Sequence, residues 1–188
     1  RWQPGEVDTV ALERAAELLV QARNPGIFAG WGALGSAEEL IQLAERLGAP
    51  VSTTLQGVSV FPADHPLHTG FGFGPAAVPA ARESFKHCDC LLAVGTRFGE
   101  IATGSFGVKV PENLIHVDIN PEVFNANYPA RVAVAADARV ALRALLKFLP
   151  ERAAEAARSG QRIARIAELK RAYQQDWLEH DSGERVNP

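Results

Sequence analysis

The sequence predicts an α/β domain built on an open parallel sheet of about six strands, with helices on both faces. Three observations predict it. Short apolar runs such as Ile27-Phe28-Ala29, Cys90-Leu91-Leu92-Ala93-Val94 and Leu114-Ile115-His116-Val117 have the continuous hydrophobicity of strands buried on both sides. Segments with apolar residues at helical intervals alternate with these runs along residues 8–149. Glycine follows two of the runs directly, at Gly30 and Gly95, where a parallel strand hands over to a turn.

In chain order, Asp8 caps a helix to about Ala22, with Ala11, Ala15, Leu18, Leu19 and Ala22 on one face, and Asn24-Pro25-Gly26 stops it. The strand Ile27 to Ala29 runs into Gly30 and Gly32. Ser36 and Glu39 have capping-box spacing before Leu40, Ile41, Ala44 and Leu47, and Gly48 and Pro50 close that helix. Val51-Ser52-Thr53-Thr54 is the next strand. Residues 57–75, rich in Gly, Pro and His, read as a loop too long for a simple connector. A helix over 76–86 leads to the strand at Cys90, and an irregular stretch over 96–113 leads to the strand 114–119, after which Pro121 opens a short helix. A strand over 131–135 and a helix capped by Asp137, with Val140, Leu142, Leu145, Leu146 and Leu149, complete the pattern. Beyond Pro150 the chain is charged and alanine-rich. Ile163, Ile166, Leu169, Tyr173 and Trp177 still hold a helical stripe, so a long helix lying on another surface is expected, ended by Asp181-Ser182-Gly183.

A chain of 188 residues, 47% hydrophobic and 22% charged, has the balance of one ordinary globular domain with appendages, which excludes disordered and disulfide-scaffold classes. Its net charge of -3 comes from intermixed signs without a basic block, which excludes nucleic acid as a partner. No apolar run approaches the roughly 20 residues that cross a bilayer, and Arg1-Trp2-Gln3-Pro4 is unlike a signal peptide, so no membrane is expected. Cys88 and Cys90 are two apart at the entry to a buried strand, where the extended backbone disfavours a mutual disulfide across so short a span, which fits a reducing, cytoplasmic setting. The count of 0 methionines suggests a piece of a longer protein.

Gly30-Trp31-Gly32-Ala33-Leu34-Gly35 has the spacing G-x-G-x-x-G in the strand-to-helix position of a Rossmann-like dinucleotide fingerprint. The acid expected at the end of the second strand is replaced by Thr53-Thr54-Leu55-Gln56, which disfavours a standard NAD ribose clamp. Two readings of the glycines stay open: amides that approach a pyrophosphate, or a tight turn that lets backbones pack closely. Asp118 and Asp137 follow strands and are either ribose acceptors or helix caps, and Arg97 is either a phosphate contact or a surface ion-pair member. His65 and His68 lack partners at zinc-ligand spacing. Cys88 and Cys90 read as small hydrophobes at a strand entry rather than reactive thiols. No complete catalytic constellation is present.

Taken in order, Gly26-Ile27-Phe28-Ala29-Gly30-Trp31-Gly32, Leu47-Gly48-Ala49-Pro50-Val51-Ser52-Thr53-Thr54, Pro62-Ala63-Asp64-His65-Pro66-Leu67, Cys88-Asp89-Cys90 through Arg97-Phe98, Ile115-His116-Val117-Asp118-Ile119-Asn120-Pro121 and Val134-Ala135-Ala136-Asp137-Ala138 resemble the central domain of thiamine-diphosphate-dependent enzymes. The acetolactate synthase, carboligase and 2-oxoacid decarboxylase group is the part of the family they resemble.

The resemblance implies residues 1–7 as a linker from an N-terminal pyrimidine-binding domain, 8–149 as the central domain, and 150–188 as a helical connector toward a C-terminal diphosphate-binding domain. It also implies a parent that is a homodimer or homotetramer and binds thiamine diphosphate and Mg through those flanking domains, leaving this piece inactive alone. In acetolactate synthases the central domain carries FAD, in some relatives ADP, and in many decarboxylases it is a scaffold. The positions carried over as cofactor contacts are Gly30, Gly32, Thr54, Leu55, Gly57, Arg97, Asp118, Ile119 and Asp137. Two departures from the family pattern bear on this: Trp31 stands where a third glycine is common, and Arg97-Phe98-Gly99-Glu100-Ile101 replaces the Arg-Phe-Asp-Asp-Arg of many flavin-binding members. The competing readings are a self-sufficient nucleotide-binding module, and an NAD-consuming hydrolase using His65, His68 or His116.

Overall fold

The computed structural model describes residues 7–151 and 159–179. In chain order the elements are α1 (Thr9–Gln21), β1 (Pro25–Ala29), α2 (Ala37–Leu47), β2 (Val51–Thr53), β3 (His68–Phe71), α3 (Pro79–Phe85), β4 (Cys90–Val94), β5 (Asn113–Asp118), β6 (Val132–Ala135), α4 (Ala138–Phe148) and α5 (Ser159–Glu179). The 6 strands pair in the order β3-β2-β1-β4-β5-β6, and every pairing is parallel. The expected parallel α/β sheet is therefore present.

Alternation along the central strands divides two cores. Ile27 and Ala29 of β1, Leu92 and Val94 of β4, and Ile115 and Val117 of β5 face α1, α2 and α4, where Leu12, Leu19, Leu40, Leu43, Leu142 and Leu145 complete the layer. Phe28, Leu91, Ala93 and Leu114 point the other way, into a smaller cluster with Phe73, Phe85, Phe98 and Val108. Much of that second face is covered by chain leaving the strands rather than by helix, which couples its packing to the loops at the carboxyl edge.

β3 corrects the reading of residues 57–75 as loop. It is short, carries Gly70 at φ 108, and pairs with β2 across a register shift, so it lacks both apolar continuity and alternation. Side chains reinforce it: the Thr69 hydroxyl donates to the Val51 carbonyl at 3.0 Å, and the Ser52 hydroxyl donates to the Gly70 carbonyl at 3.2 Å. The tail helix also finds its support within the domain. α5 packs on α3 and β3, with Ile166 buried, the Arg162 guanidinium donating to the Gly48 carbonyl, and Lys170 Nζ donating to the Ala63 carbonyl at 3.4 Å. Its outer residues Tyr173 and Trp177 stay partly exposed. Residues 1–6 of the expected linker 1–7, residues 152–158 and the stop at Asp181-Ser182-Gly183 lie outside the described residues.

The caps divide. Asp8 accepts from the Ala11 amide at 3.0 Å as expected. Ser36 precedes α2 but makes no capping bond, and its hydroxyl is buried without a partner among the described residues. Glu39 does not reach back to it, because α4 packs across α2 and presents two arginines. The Glu39 carboxylate accepts from Arg143 Nε at 2.7 Å and lies 3.7 Å from Arg139 Nε, with its side chain only 3% exposed. The two arginines are half exposed, so the pair is asymmetric: losing Glu39 returns cations to water, whereas losing an arginine strands a buried carboxylate. Arg143→Ala is expected to cost about 2 kcal/mol in urea unfolding, more than Glu39→Gln at neutral pH.

Candidate functional site

The strand order reverses between β1 and β4, so the crevice of an open α/β sheet lies beyond their carboxyl ends. There the two turns interlock. The Gly30 amide donates to the Val94 carbonyl at 2.8 Å, the Gly32 amide to the Gly95 carbonyl at 3.0 Å, and the Gly95 amide to the Val117 carbonyl at 2.8 Å. A Cβ on Gly30 would lie 2.3 Å from the Gly95 oxygen, and one on Gly95 would lie 2.4 Å from the Ala33 nitrogen. Gly57 folds back onto the same junction, where an added Cβ would come within 2.9 Å of the Gly30 carbonyl carbon. The glycine spacing thus serves close backbone packing, and the Gly30 and Gly32 amides are engaged by the chain's own carbonyls.

Above this junction opens a cleft of about 1060 Å³. Trp31 contributes one wall from the turn after β1, Thr54 and Gln56 come from the loop after β2, and Thr96, Arg97 and Glu100 come from the loop after β4. Asn127 closes the side beyond β5, donating from Nδ2 to the Phe98 carbonyl at 3.1 Å. Arg97 is exposed, and Trp31 keeps 60% of its surface open. Thr54 is held by both ends, its amide donating to the Ala29 carbonyl at 2.9 Å and its hydroxyl accepting from the Gly57 amide at 3.0 Å. Arg97 and Glu100 are the charged residues that line the cleft.

Of the remaining expected contacts, Leu55 and Ile119 are exposed on the loops after β2 and β5. Asp118 ends β5, is buried, and accepts from the Asn120 amide at 2.9 Å. Asp137 caps α4, accepting from the Val140 amide at 3.1 Å, beyond β6 and two strands from β4. Of the nine carried-over positions, Thr54 and Arg97 line the cleft, Gly30, Gly32 and Gly57 form the backbone junction, and Leu55, Asp118, Ile119 and Asp137 lie at or beyond the carboxyl ends of β2, β5 and β6 outside the cleft lining.

The histidines lie elsewhere. His65 pairs with Glu45 at 3.5 Å, and His68 is buried under α5, where burial and then the Lys170 charge push its pKa down. His116 is buried beneath the cleft floor, so none of the three lines the cleft. No group of three or more His, Cys, Asp or Glu among the described residues could hold a metal ion. Cys88 and Cys90 are free; burial first, then the neighbouring Cys90 and Asp89 respectively, pushes each thiol up to about 12, so neither is a nucleophile at neutral pH. Among the described residues no helix is long and apolar enough to cross a membrane.

Residues 12–145 match the family model of the thiamine pyrophosphate enzyme central domain. The chain belongs to this family. Among similar proteins, a probable 2-ketoarginine decarboxylase of Pseudomonas aeruginosa is 40% identical over 164 residues, which is 87% of this chain and 29% of that protein. A probable acetolactate synthase large subunit of Methanocaldococcus jannaschii is 40% identical over 141 residues, 73% of this chain and 24% of that protein. A sulfoacetaldehyde acetyltransferase of Rhodobacter capsulatus is 36% identical over 183 residues, 94% of this chain and 31% of that protein. The solved structure of an enzyme of Mycobacterium smegmatis, described as thiamin diphosphate-dependent, superposes with a TM-score of 0.60 at 26% identity over 79% of this chain and 29% of that one. This thiamine pyrophosphate enzyme central domain therefore spans about a third or less of the length of these relatives.

Sequence reasoning did not single out Gln56, Thr96, Asn127 or Val123 as cleft residues of the central domain. Gln56, Thr96 and Asn127 sit in irregular segments whose path depends on tertiary contacts, Val123 ends the short helix opened by Pro121, and no motif spacing marks any of them. Gly95 carried a signal, as the glycine that follows a buried strand.

Proposed function

We propose that this central domain serves a thiamine-diphosphate- and magnesium-dependent enzyme that makes or breaks a carbon–carbon bond next to a 2-oxoacid carbonyl. Its part is to hold the flanking pyrimidine-binding and diphosphate-binding domains in fixed relation, and to bind an adenine nucleotide, ADP or FAD, in the cleft at the β1–β4 junction. The cleft is the observation that carries the nucleotide half of this reading. Relatives named as a 2-ketoarginine decarboxylase and an acetolactate synthase support the reaction class.

The cleft residues fit a nucleotide of modest size. Its volume of about 1060 Å³ is ample for ADP. Trp31 offers an exposed indole face to a purine, and Arg97 is the cation for a diphosphate. Asp118 ends β5, the strand beside β4, and is the carboxylate at that carboxyl edge for a ribose hydroxyl, in place of the acid missing after β2. Glu100 lines the same cleft and offsets part of the Arg97 charge, so the affinity for either diphosphate depends on Arg97. Thiamine diphosphate supplies the carbanion chemistry of the parent when bound by the flanking domains; this chain's residues position those domains and hold the nucleotide.

Calorimetric titration with ADP and with FAD tests the nucleotide half. Saturable ADP binding is expected, weakened about tenfold or more by Arg97→Ala, the loss of one charge-assisted contact. Absence of binding by either nucleotide at millimolar concentration would leave the domain a scaffold alone.

A further inference from the structure

The geometry points to His116 as a positioning residue that fixes the Arg97 loop of the cleft, acting as a neutral imidazole that donates from Nε2. The inference rests on the nucleotide reading only for its effect on affinity; the positioning itself stands on the contacts below.

His116 lies within β5, paired in register with Ala93 of β4, and is 1% exposed. Its Nε2 is 2.7 Å from the Thr96 carbonyl, the first peptide oxygen beyond Gly95. A carbonyl only accepts, so Nε2 carries the proton. The other ring nitrogen, Nδ1, is buried and has no hydrogen-bond partner among the described residues. A proton there would be a stranded donor, whereas a lone pair leaves only an unused acceptor, so the ring is held in one tautomer. Burial pushes its pKa down, against the raising pull of the Thr96 carbonyl and of Asp118, the charged group whose field reaches it.

The ring is also a spacer between two walls of the cleft. Phe98 meets it edge-on at 5.2 Å between centroids, and Phe124 does so at 5.1 Å from the chain after β5. Phe98 is buried yet adopts φ 49, a left-handed conformation that a bulky residue holds only when its surroundings impose it. Those surroundings are His116 below the loop, the Phe28 and Tyr128 rings around Phe98, the Thr96 hydroxyl that accepts from the Phe98 amide at 3.3 Å, and Asn127 Nδ2, which donates to the Phe98 carbonyl at 3.1 Å. Arg97 sits between the two anchored residues Thr96 and Phe98. Its backbone direction, and hence the region its guanidinium can sweep, is set jointly by His116, which does not touch the cleft, and by Asn127, whose Nδ2 also donates to the Arg97 carbonyl at 3.4 Å.

The test compares His116→Leu with His116→Gln, whose amide nitrogen can replace the Nε2 donor. In His116→Leu, amide hydrogen exchange over residues 96–102 is expected to speed up by about tenfold or more, corresponding to loss of one buried bond, while amides of β1 and α2 keep their protection. ADP affinity should fall severalfold, and His116→Gln should restore both. Unchanged exchange in His116→Leu, or a folded His116→Gln that fails to restore it, would overturn the proposal. If His116→Leu does not fold, the imidazole nitrogen shifts of the unmodified protein decide: a neutral Nε2–H tautomer at neutral pH is expected, and an Nδ1–H tautomer or a protonated ring at neutral pH would overturn it. Loss of ADP binding in the unmodified protein would refute the nucleotide reading while leaving the exchange result to judge His116.

Discussion

Gly95→Ala is expected to destabilise the domain by about 3 to 4 kcal/mol, lowering the melting temperature by about 10 °C for a chain of this size. The reason lies in the junction of β1 and β4. Gly95 holds φ 60, where a side chain costs about 1 kcal/mol or more, and its Cβ would lie 2.4 Å from both the Ala33 nitrogen and the Gly32 carbonyl carbon. Backbone cannot swing aside as a flexible side chain can. The turns must separate, which puts at risk the bonds from the Gly32 amide to the Gly95 carbonyl and from the Gly30 amide to the Val94 carbonyl, each worth about 1 kcal/mol. Gly99→Ala is the matching control in the same loop, since nothing lies within 4 Å of its added Cβ, and it should change stability by less than about 0.5 kcal/mol. Thermal unfolding of the two variants side by side checks the difference.

Phe28→Ala is expected to cost about 3 to 5 kcal/mol in denaturant unfolding, with the slope against denaturant unchanged. Phe28 is fully buried in the central strand and anchors the second core, with its ring 4.8 Å from Phe73 and 6.0 Å from Phe98. This face has few helices to close over a void, so the cavity collapses poorly. The effect reaches the cleft, because Phe98 rests on both Phe28 and His116. Phe28→Leu, which keeps most of the volume, should cost under about 2 kcal/mol. A larger loss of nucleotide affinity than of stability in Phe28→Leu would place the Phe98 contact on the path to Arg97.

The sequence carried most of the sheet because buried parallel strands are continuous apolar runs, and β1, β4 and β5 have that signature. β3 had none, since a His-Thr-Gly-Phe edge strand draws its order from Val51, Ser52 and the covering helices rather than from its own hydrophobicity. The capping-box spacing at Ser36 and Glu39 was legible and misleading, because a contact from α4, some 100 residues on in sequence, outcompetes a local bond. At the site, the glycine turn and Arg97 were legible from spacing and strand position. That Gly30 and Gly32 donate to the Val94 and Gly95 carbonyls, and that His116 contacts Thr96 and Phe98 on either side of Arg97, depends on which strands become neighbours, and local pattern does not encode that.

Turnover measured on two proteins tests most directly the proposal that this domain positions catalysis performed elsewhere in the parent. The full-length protein carrying this chain should release or transfer the carbon unit of a 2-oxoacid only when thiamine diphosphate and Mg are supplied, and the 188-residue chain alone should give none under the same conditions. Thiamine-dependent turnover by the chain alone, or a full-length protein whose activity is indifferent to thiamine diphosphate, would contradict it.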